Sequence, residues 1–110
     1  MVEPIFIADL MDGYNELPFE PFREGVEIYH IQKGAPAVAL LRYEPGARVP
    51  NHLHTGLETI LVLEGAQSDE RGTYTKGCCV LNPEGTSHSV WSEPGCVVLI
   101  QWERPVKILE

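Results

Sequence analysis

The strongest constraint on this chain is how often it turns. From Val26 onward each short apolar run is cut by a turn signal: Gly34-Ala35-Pro36, Glu44-Pro45-Gly46, Thr55-Gly56, Glu70-Arg71-Gly72, Lys76-Gly77 and Asn82-Pro83-Glu84-Gly85. Gly and Pro interrupt helices and pre-set the backbone of tight turns, so the runs between them read as strands. Strands are expected over 26–31, 37–43, 48–54, 58–63, 67–69, 73–75, 78–81, 87–91 and 96–102. Short strands at such close spacing make an all-β chain, an antiparallel sandwich or barrel. The 110 residues suit a single domain. Residues 1–25 differ, with Pro4, Pro18 and Pro21 among scattered apolar side chains of no sustained period. They are expected to form an N-terminal arm, with a short helical turn near 7–11, packed across a domain of residues 26–110.

Charge and composition remove several classes of function. Eight Lys and Arg stand against sixteen Asp and Glu, a net charge of −8. Nucleic-acid binding and attachment to an anionic membrane both need clustered cations, so neither is expected. The longest uncharged runs are 49–57 and 94–102, far short of the roughly 18 apolar residues of a membrane helix. Met1-Val2-Glu3-Pro4 has no basic region and an early acid, unlike a signal peptide. Three cysteines, two of them adjacent, do not make a disulfide framework, and a cytoplasmic location is expected. Cys78 and Cys79 fall on opposite faces of a strand and read as packing residues, either one able to line a pocket. Cys96 reads as structural.

Two strands carry a second message. In 58–63, Ile60 and Val62 share the face of Glu58, while Leu61 and Leu63 occupy the other; 96–100 is likewise apolar on both faces. A half-exposed strand alternates apolar and polar residues. Something therefore covers the outer face: the arm, or a second copy in a homodimer, the commonest closed oligomer and the expected one here.

The chemistry concentrates in four residues. His52 and His54 are two apart, so on a strand both imidazoles project to one face. The Thr55-Gly56 turn brings Glu58 beside them on the next strand, and His88 follows the turn at 83–85. Three imidazoles and a carboxylate suit Zn, Fe, Mn, Ni or Cu. His30 has no such neighbours and reads as a hydrogen-bonded bystander.

The spacing Gly46, five residues, His52, one, His54, three, Glu58, six, Gly65 resembles the first motif of the cupin superfamily. Gly77, five residues, Pro83, one, Gly85, two, His88 resembles the second. That pattern has Asn four residues after the histidine, where this chain has Ser92. The strings 52–58, 61–65, 69–74, 82–88 and 92–96 are similar to the ChrR-like group of cupins. The resemblance implies a small antiparallel cupin-type β-barrel, a jelly-roll-like double sheet, with His52, His54, Glu58 and His88 as metal ligands. The group includes the C-terminal domain of zinc-binding anti-sigma factors, stand-alone proteins and relatives described as diketone dioxygenases. The anti-sigma members carry a helical zinc domain with His and Cys ligands; residues 1–25 contain neither, so sigma-factor sequestration does not carry over.

Strand parity from His52 places Arg48 on the inward face, where it would hold a carboxylate or enolate as the catalytic orienting group; the competing reading is a rim arginine, because Pro50 disturbs alternation. No second inward acid is evident beside Glu58, and Asp69-Glu70 reads as a solvated hairpin tip. Two functions are expected from these residues. One is a metal-dependent enzyme, dioxygenase-like, on a small-molecule diketone, enol or phenolic ketone, with Fe or Zn the leading cofactors and Mn or Ni compatible. The other is a non-catalytic zinc or ligand sensor; a storage or structural domain without chemistry is the blandest option.

Overall fold

The computed structural model describes residues 3–109. A short helix α1 (Leu10–Gly13) and a 3₁₀ turn (Tyr14–Glu16) precede ten strands. These are β1 (Glu20–Arg23), β2 (Val26–Gln32), β3 (Ala37–Tyr43), β4 (Ala47–Leu53), β5 (Glu58–Asp69), β6 (Gly72–Thr75), β7 (Cys79–Asn82), β8 (Ser87–Ser92), β9 (Cys96–Trp102) and β10 (Lys107–Ile108). They form one antiparallel sheet in the order β1-β2-β3-β9-β5-β8-β4-β10, with β6 and β7 both paired to β5. The turns imply an all-β sandwich or barrel and the resemblance a barrel; the chain forms a curled antiparallel sheet of the barrel kind. The sheet curls until its edge strands face each other: Phe22 and Arg23 of β1 line the same internal cavity as Ile108 of β10. No helix among the described residues is long and apolar enough to cross a membrane.

The bend is made by β5. The sequence suggests two strands separated near Gly65; the structure has one strand of twelve residues that turns there. From Glu58 to Gly65 it pairs with β9, and from Ala66 to Asp69 with β6. Gly65 has φ +76°, and a Cβ at this position would lie 2.0 Å from the carbonyl oxygen of Gly95. Only glycine can adopt that backbone and leave room for the neighbouring chain.

Two irregularities in register set which side chains face inward. On β5 the pairing with β9 slips between Val62 and Glu64. On β4 the pairing with β8 slips between Val49 and His52. Each slip is a bulge that inserts one residue and reverses the alternation beyond it.

The inner core is built from Ile28, Ala39, Leu41, Ile60, Val62 and Val98. A second cluster lies outside the sheet, where Leu40, Leu63 and Val97 pack against Tyr14, with Leu10, Leu17 and Phe19 at its margin. The doubly apolar strands are therefore covered by the chain's own arm, and their pattern does not require the second copy of a homodimer. Side-chain contacts fasten the arm. The Tyr14 hydroxyl donates to Glu64. The Arg42 guanidinium sits 4.1 Å over the Phe19 ring, donates to Asn15 and pairs with Glu27 at 2.8 Å. The helical turn expected near 7–11 lies at Leu10–Gly13, and the last part of the expected arm joins the sheet as β1.

Candidate metal centre

His52 on β4 and His88 on β8 are directly opposed across the ladder, which brings their rings to 4.7 Å between centroids. His54 follows β4, and its backbone N–H donates to the Thr86 carbonyl, which holds it beside the other two. Its ring lies 5.2 Å from His52 and 4.7 Å from His88. Glu58 opens β5. One donor atom from each of the four residues lies within 4.8 Å of the others, and all four side chains are buried. The spacing in the sequence predicts that these residues meet, and the fold brings them together.

The outer ring nitrogens are all anchored. His52 Nδ1 donates to the Pro50 carbonyl at 2.9 Å, and His54 Nδ1 to the Thr86 carbonyl at 2.9 Å. His88 Nδ1 donates to Asp69 Oδ2 at 2.9 Å. A carbonyl only accepts, so Nδ1 carries the proton and Nε2 is left with a lone pair. Two of these Nε2 atoms face the Glu58 carboxylate: His54 Nε2 is 3.1 Å from Oε1, and His88 Nε2 is 3.8 Å away, buried and without any hydrogen-bond partner. Lone pairs facing a carboxylate repel unless a cation lies among them. The donor set thus fits a divalent transition metal, and the orphaned His88 nitrogen is the atom it would satisfy.

Glu58 is itself held in place. Asn82 Nδ2 donates to Oε1 at 3.0 Å and Trp102 Nε1 to Oε2 at 2.8 Å. Burial pushes its carboxyl up, but where the facing rings are protonated, His54 through a hydrogen bond and the other imidazoles through their charge outweigh burial and hold it below the usual carboxylate range. Burial holds His52 below its ordinary value, against the opposing pull of the Pro50 carbonyl. The His52 shift favours the neutral ring, its metal-competent form.

Three supporting residues escape sequence reasoning. Asp69 is no solvated hairpin tip: it is buried and accepts from His88, the Arg71 backbone N–H and the Tyr74 hydroxyl. Burial raises its carboxyl, and these three donors more than reverse the shift. Its inward aim follows from the bulge beside Leu63, which also turns Gln67 into the cavity. Asn82 and Trp102 give no signal beyond a turn and a strand end. The placement of Arg48 is corrected. The bulge at Pro50-Asn51 lets Val49 and His52 both face the cavity, which turns Arg48 outward; it is exposed, with its guanidinium 5.2 Å over Trp91. His30 is not hydrogen-bonded as expected, for its Nδ1 is buried and unpartnered. Cys96 is buried, with its thiol pushed up to about 11 by desolvation, and neither Cys78 nor Cys79 lines the cavity. Ser92 is buried and donates to the Ala66 carbonyl at 2.6 Å, tying β8 to the bend of β5.

Beside the ligands lies a cavity of about 60 Å³, walled by Leu41, Val49, Ile60, Val90 and Ile100. Gln67 and Tyr43 add polar groups to those of Arg23 and the ligands, with Gln67 Nε2 3.5 Å from the Tyr43 hydroxyl. Burial pushes that hydroxyl well above its ordinary value, so it stays protonated and can donate. Such a space admits a few waters or one small group.

The sequence model of the family described as ChrR Cupin-like domain matches residues 8–104. The anti-sigma-E factor ChrR of Cereibacter sphaeroides is 34% identical over 86 residues, which are 76% of this chain and 40% of that protein. The chain thus spans well under half the length of this curated relative. Among solved structures, ChrR in the Rhodobacter sphaeroides SigE complex aligns with TM-score 0.72 and 27% identity, over 80% of this chain and 49% of that one. An acetylacetone dioxygenase from Acinetobacter johnsonii aligns over all of this chain and 79% of its own, with TM-score 0.81 and 14% identity, a likeness of fold alone.

Proposed function

The chain belongs to the ChrR cupin-like family, and from that premise we propose that it is a metal-dependent enzyme acting on a small oxygenated compound. His52, His54, Glu58 and His88 hold one divalent transition metal, Fe or Zn in first place. The observation that carries this reading is the small cavity reaching His52, Glu58 and His88 from one side. A purely structural metal would be enclosed by its ligands, whereas a catalytic one keeps an approach for substrate.

Bound there, the metal supplies a Lewis acid and, if iron, a centre for oxygen chemistry. The chain's own groups do the remaining work. Asn82 and Trp102 fix the direction of the Glu58 carboxylate. Asp69 fixes the His88 ring. The protonated Tyr43 hydroxyl donates to an oxygen of the bound compound, and the aliphatic walls exclude bulk water. A diketone, enol or phenolic ketone offers the oxygens this arrangement can receive, and the dioxygenase of like fold makes oxygen uptake the first reaction to test.

A second reading is favoured by the 34% identity to an anti-sigma factor: the same site senses zinc or a ligand and acts through a protein partner. Elemental analysis and oxygen uptake distinguish the two. The enzyme reading expects about one metal per chain and oxygen consumption by iron-loaded protein with a panel of β-diketones and phenolic ketones. Full metal occupancy with no uptake across the panel moves the assignment to the sensor. Absence of bound metal after growth in iron-, zinc- and manganese-supplemented media removes both.

A further inference from the structure

The internal cavity opens outward into a groove of about 440 Å³, within the roughly 300–1,000 Å³ range of small-molecule sites. The two share Phe22, Arg23, Trp102, Val106 and Ile108. The groove is therefore the mouth of the barrel, between edge strand β1 and the C-terminal segment. Its walls differ in character. One is aromatic and aliphatic: Phe22 stacks on Trp102 with centroids 6.2 Å apart, and Val106 and Ile108 continue the surface. The other is basic, with Arg23, His30 and Lys33.

That clustering is unusual for a chain of net charge −8. Among the described residues, Arg42, Arg71 and Arg104 pair with carboxylates, whereas Arg23 and Lys33 do not. Arg23 is half-buried and reaches both the inner cavity and the groove. A half-buried guanidinium without a carboxylate leaves five directed donors unspent at the junction of the two spaces. Glu20 lies 3.9 Å from His30 Nδ1 and is 62% exposed, and among the described residues no carboxylate forms an ion pair with Arg23 or Lys33.

We infer that the groove binds a small organic anion with an apolar body, an aryl or branched alkyl carboxylate, whose charged group is clamped by Arg23. The apolar body lies against Phe22 and Trp102, and Lys33 adds charge at the outer end. Arg23 thus takes the orienting task that strand parity assigns to Arg48. The inference adds a substrate class to the enzyme reading and rests on that reading only for the chemistry at the metal cluster; the anion site itself involves no metal ligand.

Trp102 provides the readout. Replacing Trp91 by Phe leaves Trp102 as the single indole, and its fluorescence reports occupancy of the groove. The titrants are benzoate, benzamide and acetate, run on chelator-treated protein so that no metal can capture a carboxylate. Benzoate is expected to bind at least about tenfold more tightly than the neutral benzamide or the small acetate, the effect of one charge-assisted hydrogen-bond pair. Arg23→Gln should weaken benzoate about tenfold or more, Arg23→Lys should restore most of it, and Arg48→Gln should change nothing. Equal benzoate and benzamide affinities, a flat titration with all three, or an Arg23→Gln protein that binds like Arg48→Gln overturns the inference. Because the experiment is done without metal, failure of the metal reading would show separately, as missing metal in elemental analysis.

Discussion

Asp69 shows what one side chain behind a ligand controls. Its carboxylate fixes the tautomer of His88 and stands 2.9 Å from Nδ1. Such partners raise ligand basicity, and their loss typically costs about 10–100-fold in metal affinity. Asp69→Asn keeps an acceptor but removes the charge, so zinc affinity measured by competition with a chelating dye should fall by about tenfold, with the fold retained by circular dichroism. Unchanged affinity would mean that the charge of Asp69 does not act on the metal through His88. The same residue contributes to acid stability. Its folded pKa is depressed, so its stabilisation is present above the unfolded value of about 3.9 and is lost as pH falls through the folded value. A second position tests the bend of β5. Gly65→Ala places a methyl group into the Gly95 carbonyl at a left-handed backbone angle. About 2–4 kcal/mol of stability should be lost in urea unfolding, and a loss under about 0.5 kcal/mol would show that the bend tolerates a side chain.

At the scale of the element, the arm behaves as a lid on the outer face of the sheet. Tyr14 is buried against Leu40, Leu63 and Val97, and burial together with the Glu64 hydrogen bond pushes its hydroxyl up to about 12. Tyr14→Ala leaves a void over the sheet and should cost about 2–4 kcal/mol in denaturant unfolding, whereas Tyr14→Phe loses only the hydrogen bond, about 1 kcal/mol. If both variants unfold like the unsubstituted protein, the arm does not pack. The strands beneath it show how far a sequence can be read. Turn residues place nearly every strand, and ligand spacing places His52, His54, Glu58 and His88 together. Alternation then fails beside the site at the bulges of β4 and β5. Counting by twos from His52 puts Arg48 inside, and counting from Glu58 puts Asp69 and Gln67 outside; the structure reverses all three. A bulge is fixed by pairing with a distant strand, so no local pattern announces it. Trp102 and Arg23 are hidden for a related reason: their positions at the barrel mouth depend on how far the sheet curls, which no single strand specifies.

The whole molecule is where the four ligands matter most, because they come from β4, β5, β8 and the turn between β4 and β5. A metal that binds only the folded state stabilises it by mass action, about 4 kcal/mol when free metal is a thousandfold above Kd. In a chain of this size each kcal/mol raises Tm by roughly 4 °C or more. Zinc-loaded protein should therefore melt at least about 10 °C above chelator-treated protein at pH 7.5. The gap should also depend on pH, in a direction set by burial. Metal needs neutral imidazoles, and His52 is held below its ordinary value, so at this ligand protons compete only at lower pH than for a free histidine. The holo–apo difference should persist through pH 6.5, the ordinary histidine midpoint of about 6.5 notwithstanding, and collapse in more acid buffer. Differential scanning calorimetry of both forms from pH 5 to pH 8 measures it directly. A gap already closed near neutrality would place the His52 imidazole in water, and a gap absent at every pH would leave the buried Nε2 of His88 unpaired in the working protein.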